Sequence, residues 1–177
     1  MNNNTIAIID YGSQYTQLIA RRVRELNVYS IILPHDFKDS YVDFNNINGI
    51  ILSGGPSSVY DKSSPKLNQI ILSYNIPILG VCYGLQLLIE NFNGTVKSGN
   101  IGEYGPSEII KGQESKLFSD VSSKTNVWMS HGDRIEDMPK DWIITSKSEN
   151  NVISSVENQN GSIYGVQFHP EVVHTKE

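Results

Sequence analysis

The chain has 177 residues, 38% of them hydrophobic and 19% charged, with a formal net charge of −5 at pH 7. That is enough for one domain with a sizeable core; it is too apolar for a disordered chain and too acidic to suggest nucleic acid as the main ligand. No apolar run approaches the roughly 20 residues needed to span a bilayer, and a single cysteine forbids an intrachain disulfide and points to a reducing compartment, the cytoplasm.

Met1-Asn2-Asn3-Asn4 has no basic n-region before an apolar stretch, so no signal peptide is expected. Ile6-Ala7-Ile8-Ile9 then reads as a strand buried on both faces and ends in Asp10-Tyr11-Gly12. Tyr15, Leu18, Ile19, Val23 and Leu26 fall on one helical face. Arg21, Arg22 and Arg24 read as a solvated face or a surface for a partner. Tyr29-Ser30-Ile31-Ile32-Leu33 is a second strand, closed by Pro34-His35-Asp36, with His35 in a loop. Gly49-Ile50-Ile51-Leu52 is a third, closed by Ser53-Gly54-Gly55-Pro56. Leu67, Ile70 and Ile71 form another helical stripe, opened near Pro65.

Pro77-Ile78-Leu79-Gly80-Val81 leads into Cys82, and Leu85-Gln86-Leu87-Leu88-Ile89 leads out. The pattern is a buried strand, a sharp turn and a helix, with a thiol at the corner. Gly80 and Gly84 allow the close approach that such a corner needs, as in a nucleophile elbow with sulfur in place of oxygen. A thiol there faces the positive end of the helix dipole, which suits a thiolate. A lone cysteine is in most chains a small buried hydrophobe; the flanking glycines shift this one toward a nucleophile.

After Asn93 the texture changes to short β-prone segments: 94–97, 107–110, 126–129, 142–145, 152–156 and 162–166. Strand–helix alternation followed by these segments predicts an α/β fold. It is an open, mostly parallel sheet flanked by helices, with added antiparallel strands at the edge and the last strand returning to the core. Residues 1–177 read as one domain.

A nucleophilic thiol needs a base, and the base needs an orienting group. Among the histidines His35, His131, His169 and His174, the best candidate is His169, in Gln167-Phe168-His169-Pro170-Glu171. A residue before proline is extended, so His169 and Glu171 project together. Alone, the tripeptide is better read as a surface loop with an incidental ion pair; beside the elbow, a Cys82–His169–Glu171 triad is the better reading. His174 is expected to be exposed. Oxyanion donors are needed too: the Tyr83 amide is one candidate and the Gly55 amide the other. The glycine pair alone is more often a simple turn, and no Lys-Ser/Thr follows it as in a phosphate loop. Ser130-His131-Gly132-Asp133 reads as a polar loop able to hold a zwitterion, or as a turn capped by Asp133. No metal site is expected.

Gly80-Val81-Cys82-Tyr83-Gly84-Leu85-Gln86, Ser53-Gly54-Gly55-Pro56 and Phe168-His169-Pro170-Glu171 together resemble the motifs of the class I (triad-type) glutamine amidotransferases, a flavodoxin-like fold. The resemblance covers essentially the whole chain. It is closest to the glutaminase units that feed XMP-aminating synthetases, through Asp10-Tyr11-Gly12-Ser13-Gln14-Tyr15, Ser53–Tyr60, Trp128–Asp133 and His169–Thr175.

The resemblance implies that Cys82 attacks the carboxamide of glutamine, His169 protonates the departing ammonia, and Glu171 orients His169. Gly55 and Tyr83 hold the oxyanion. Gln86, Ser130, His131, Gly132 and Asp133 hold the ends of glutamine. It implies no cofactor in this chain. ATP and magnesium belong to the implied partner, an ATP-pyrophosphatase synthetase that converts XMP to GMP in purine synthesis; neither nucleic acid nor membrane is an expected partner. Gly102 stands where the family usually has a basic residue before Glu103-Tyr104-Gly105. With Glu177 as its last residue, the chain reads as an excised domain or a separately encoded unit. The rival readings are an amidotransferase of anthranilate or CTP type, a stand-alone γ-glutamyl thiol hydrolase, and a non-catalytic module on the same fold.

Overall fold

The computed structural model describes residues 4–177, so Met1, Asn2 and Asn3, read above for a leader, lie outside the described residues. Strand β1 (Thr5–Asp10) is apolar on both faces, and successive side chains leave a strand on opposite sides. Ile8 packs with Ile19 and Ala20 of helix α1 (Thr16–Glu25). Ala7 and Ile9 join the main core, which holds Leu85, Leu88 and Ile89 of helix α2 (Tyr83–Asn91). The two helices therefore cover opposite faces of the sheet.

The other strands are β2 (Tyr29–Pro34), β3 (Ile47–Leu52), β4 (Ile78–Val81), β5 (Thr95–Lys111), β6 (Lys124–Asp137), β7 (Trp142–Ser148), β8 (Ile153–Asn158) and β9 (Ile163–Val166). They form a nine-stranded sheet in the order β2-β1-β3-β4-β9-β8-β7-β5-β6. Pairings from β2 through β9 are parallel. Those from β9 through β6 are antiparallel. The expected α/β architecture is present, and the last strand does return to the centre, between β4 and β8. Among the described residues no helix is long and apolar enough to cross a membrane.

Several local expectations are corrected. The stripe through Leu67, Ile70 and Ile71 is not an α-helix but a 3-10 segment, Gln69–Tyr74. It is too short to propagate: the Asn68 side chain caps its start, Asn75 turns left-handed at its end, and Pro77 follows. Helix α1 ends at Glu25, leaving Leu26 outside it and 76% exposed; its buried face is Thr16, Ile19 and Ala20. Residues 95–97 and 107–110 belong to one strand, β5, and Gly94 lies just before it. Ser130, His131, Gly132 and Asp133 are neither loop nor turn but part of β6. Pairing of Ser130 with Tyr104 and of His131 with Glu103 keeps them extended despite their turn-like composition.

Candidate active site

The carboxyl ends of β1, β3, β4 and β9 meet at one edge of the parallel block, where open α/β sheets bind ligands. A cleft of about 510 Å³ opens there. Its walls come from residues 12–15 after β1, residues 55–58 after β3, the β4–α2 corner, Tyr104, Ser130–Asp133 and His169. Cys82 and His169 line the same cavity.

Cys82 occupies the corner with φ 50° and ψ −105°, a conformation that costs energy in a residue bearing a side chain. Three hydrogen bonds hold the corner: Cys82 N donates to Val166 O at 2.8 Å, Gly84 N to Ser53 O at 3.1 Å, and Gln86 N to Cys82 O at 3.2 Å. A Cβ on Gly80 would lie 2.6 Å from Leu85 N, and one on Gly84 would strike the Leu52 carbonyl. Both positions demand glycine so that α2 can start directly against β3 and β4.

His169 is 4% exposed and Glu171 4%. His169 Nδ1 lies 2.8 Å from Glu171 Oε1. Burial alone pulls the imidazole down; hydrogen bonds to Cys82 and then to Glu171 outweigh it and raise the pKa from 6.5 to about 10. The second Glu171 oxygen is buried without a protein donor among the described residues, so the imidazole is the carboxylate's side-chain partner there. Arg22 Nε donates to the Glu171 carbonyl at 3.0 Å, fastening this turn to α1. Tyr15 meets the His169 ring edge-on, centroids 5.2 Å apart. His35 follows the end of β2, outside any helix or strand, and His174 is exposed.

Gly55 and Tyr83 both line the cleft beside Cys82. Ser53 fixes the glycine loop, accepting from Tyr11 N at 3.0 Å through the same Oγ that donates to Gly54 O at 2.8 Å. A methyl group on Gly54 would sit 3.1 Å from His169 Cε1 and 3.6 Å from Cys82 Cβ, so loop, thiol and imidazole converge on one point.

The opposite wall carries Gln86 and Ser130–Asp133. Asp133 accepts from Ser58 Oγ at 2.6 Å and Tyr60 OH at 2.7 Å through its two carboxylate oxygens. His131 is buried, with Nδ1 donating to Asp133 O at 2.8 Å and Nε2 3.2 Å from Glu103. Glu103 also accepts from Ser148 and Asn150. The cleft thus brings together Cys82, His169, Gly55, Tyr83, Gln86, Ser130, His131, Gly132 and Asp133, with Glu171 behind His169. Sequence reasoning gave no catalytic or binding role to Gln167, Glu103, Ser58 or Tyr60, and read Arg22 as a solvated or partner-facing residue where it in fact holds the Glu171 turn. For Gln167 a signal was present: an amide inside the apolar run that precedes the candidate base.

Residues 7–177 match the family model for glutamine amidotransferase class-I. The chain is 49% identical over 172 residues to "GMP synthase [glutamine-hydrolyzing]" of Thermosipho melanesiensis, covering 97% of this chain and 33% of that protein. It is 47% identical over 177 residues to the protein of the same name from Borrelia garinii subsp. bavariensis, covering 99% and 33%. The chain therefore spans about a third of the length of these curated relatives. Among solved structures, a Thermoplasma acidophilum protein assigned to GMP synthase as one of its subunits superposes with a TM-score of 0.85 at 29% identity, over 98% of this chain and 87% of that one. A Thermotoga maritima glutamine amidotransferase superposes with a TM-score of 0.77 at 23% identity, over 96% and 77%, and shows the same fold. With nearly its whole length matched by the family model, this chain belongs to the class-I glutamine amidotransferases.

Proposed function

We propose that the chain hydrolyses glutamine through a γ-glutamyl thioester on Cys82 and supplies the ammonia to a synthetase. The observation that carries this reading is that Cys82 and His169 line one cleft at the parallel strand ends, with Glu171 on the far side of the imidazole, 2.8 Å from Nδ1. The Cys82 thiolate attacks the side-chain carboxamide carbon, forming the C–S bond. The amides of Gly55 and Tyr83 receive the developing oxyanion. As the C–N bond breaks, imidazolium His169 gives its proton to the leaving nitrogen, and ammonia departs. Neutral His169 then takes a proton from water, whose oxygen attacks the thioester. The C–S bond breaks, glutamate leaves, and the thiolate–imidazolium pair is restored. Glu171 fixes the ring and stabilises its charged form. Gln86 and Ser130–Asp133 hold the amino acid end of glutamine.

The relatives' name, GMP synthase, supports a GMP-forming synthetase as the acceptor; the resemblance noted in the motifs makes it one that uses ATP and magnesium to convert XMP to GMP. The chain acts as the amidotransferase unit of that assembly, in a reducing cytoplasm that keeps its only cysteine free. The test is glutamate release from glutamine. Cys82→Ala is expected to lower it more than about a thousandfold with the circular dichroism spectrum unchanged. Full activity in a folded Cys82→Ala chain would remove the nucleophile. Glutamate release that never responds to an XMP-aminating synthetase would remove the partner and favour a stand-alone hydrolase.

A further inference from the structure

Gln167 is fully buried just past the end of β9, a place where an apolar side chain would pack without needing partners. Its amide is ordered end to end by its neighbours. The Asp133 carbonyl can only accept, and Gln86 Nε2 lies 3.3 Å from it, so that face of Gln86 is a donor. The same Nε2 lies 3.2 Å from the Gln167 side chain, so the Gln167 atom facing it must be the acceptor, Oε1. The remaining atom, Nε2, then points an N–H at Cys82 Sγ from 3.6 Å. Apart from the His169 ring, which donates to the sulfur when protonated, the acceptor within reach of a protonated thiol is Ser130 O, a long 3.8 Å away.

We infer that Gln167 is a further catalytic contact: its side-chain N–H, oriented from β6 through Gln86, stabilises the Cys82 thiolate beside His169. A fixed N–H donor binds sulfur as an anion better than as a thiol, and a hydrogen bond to a charged group is the stronger kind. The surroundings of the sulfur are therefore rich in donors and poor in acceptors. The linkage also ties the wall that faces substrate to the reacting atom through two amides. The inference rests on Cys82 being the nucleophile.

Because Cys82 is the only cysteine, alkylation by iodoacetamide, followed by mass, reports on it alone. The experiment compares the intact wild-type chain with Gln167→Met, which keeps the volume and loses the donor, and Gln167→Glu, which turns an anionic oxygen toward sulfur. At pH 7 the Met variant is expected to alkylate about tenfold more slowly, with the gap closing as pH rises, and the Glu variant more slowly still. Glutamine hydrolysis should fall in the same order. A folded Met variant with the wild-type alkylation profile overturns the inference, whatever its hydrolysis rate. Should the Met variant not fold, Gln167→Leu, which likewise has no donor, takes its place, and wild-type alkylation there overturns it equally. Failure of the underlying reading shows separately, as hydrolysis that survives Cys82→Ala.

Discussion

His169 carries the most perturbed proton in the cleft, and its shift has a defined sign. Its folded-state pKa of about 10 lies above the ordinary 6.5, so its ionic contacts contribute full stability below pH 6.5 and lose it as pH rises toward 10. The urea midpoint of the wild type should therefore fall more steeply between those two pH values than that of His169→Asn; parallel slopes would show that the pair stores no stability. Glu171→Gln keeps the shape and removes the charge that helps hold the proton. We expect hydrolysis to drop roughly 10²- to 10⁴-fold, with the alkaline limb of kcat/KM moving to lower pH. A changed rate with an unmoved limb would assign Glu171 to packing alone. At this scale Cys82, His169 and Glu171 were legible because each is announced by its immediate neighbours: glycines around one, a proline between the others. Glu103 was not, and Gln167 showed only as an amide inside an apolar run. Their partners lie far along the chain, Gln86 and Cys82 for the amide and His131, Ser148 and Asn150 for the carboxylate, so what they touch cannot be read from their neighbours.

The β4–α2 corner depends on backbone contact more than on side chains. Gly84 abuts the Leu52 carbonyl, so Gly84→Ala must move either α2 or β3. The expected cost is about 1–3 kcal/mol, read from denaturant midpoints, with alkylation of Cys82 slowed as the corner shifts. Unchanged stability would mean that helix and strand are less closely packed than the glycine implies. The parallel strands were readable as continuous apolar runs, since a strand covered on both faces has no polar side. The Gln69–Tyr74 segment was misread as a full helix because its apolar spacing fits one turn as well as several. Ser130–Asp133 was misread because pairing with β5 overrides turn-forming composition, and that pairing is invisible in the strand's own residues.

On the scale of the whole molecule, the cleft joins the parallel block to the antiparallel ribbon of β5 and β6. Ser130–Asp133 on β6 and the thiol on the β4 corner therefore belong to different parts of the sheet, and a shift of the ribbon against the block would move one relative to the other. Asp133 is clamped to Ser58 and Tyr60 across this junction, a contact that a docked partner could tighten or release. We expect weak glutamate release from the chain alone and a rise of about tenfold or more when an XMP-aminating synthetase is added with its substrates, in the range of known couplings between sites. Full turnover without that partner would show that the junction is already set.

Gln167, which touches the sulfur, is made 85 residues after Cys82. During synthesis the thiol therefore leaves the ribosome long before the amide and the imidazole that would sharpen it. On the roles proposed for Gln167 and His169, an unfinished chain carries a cysteine without the two groups that would activate it. The amide and the imidazole reach the sulfur only when the last strand slots in between its neighbours.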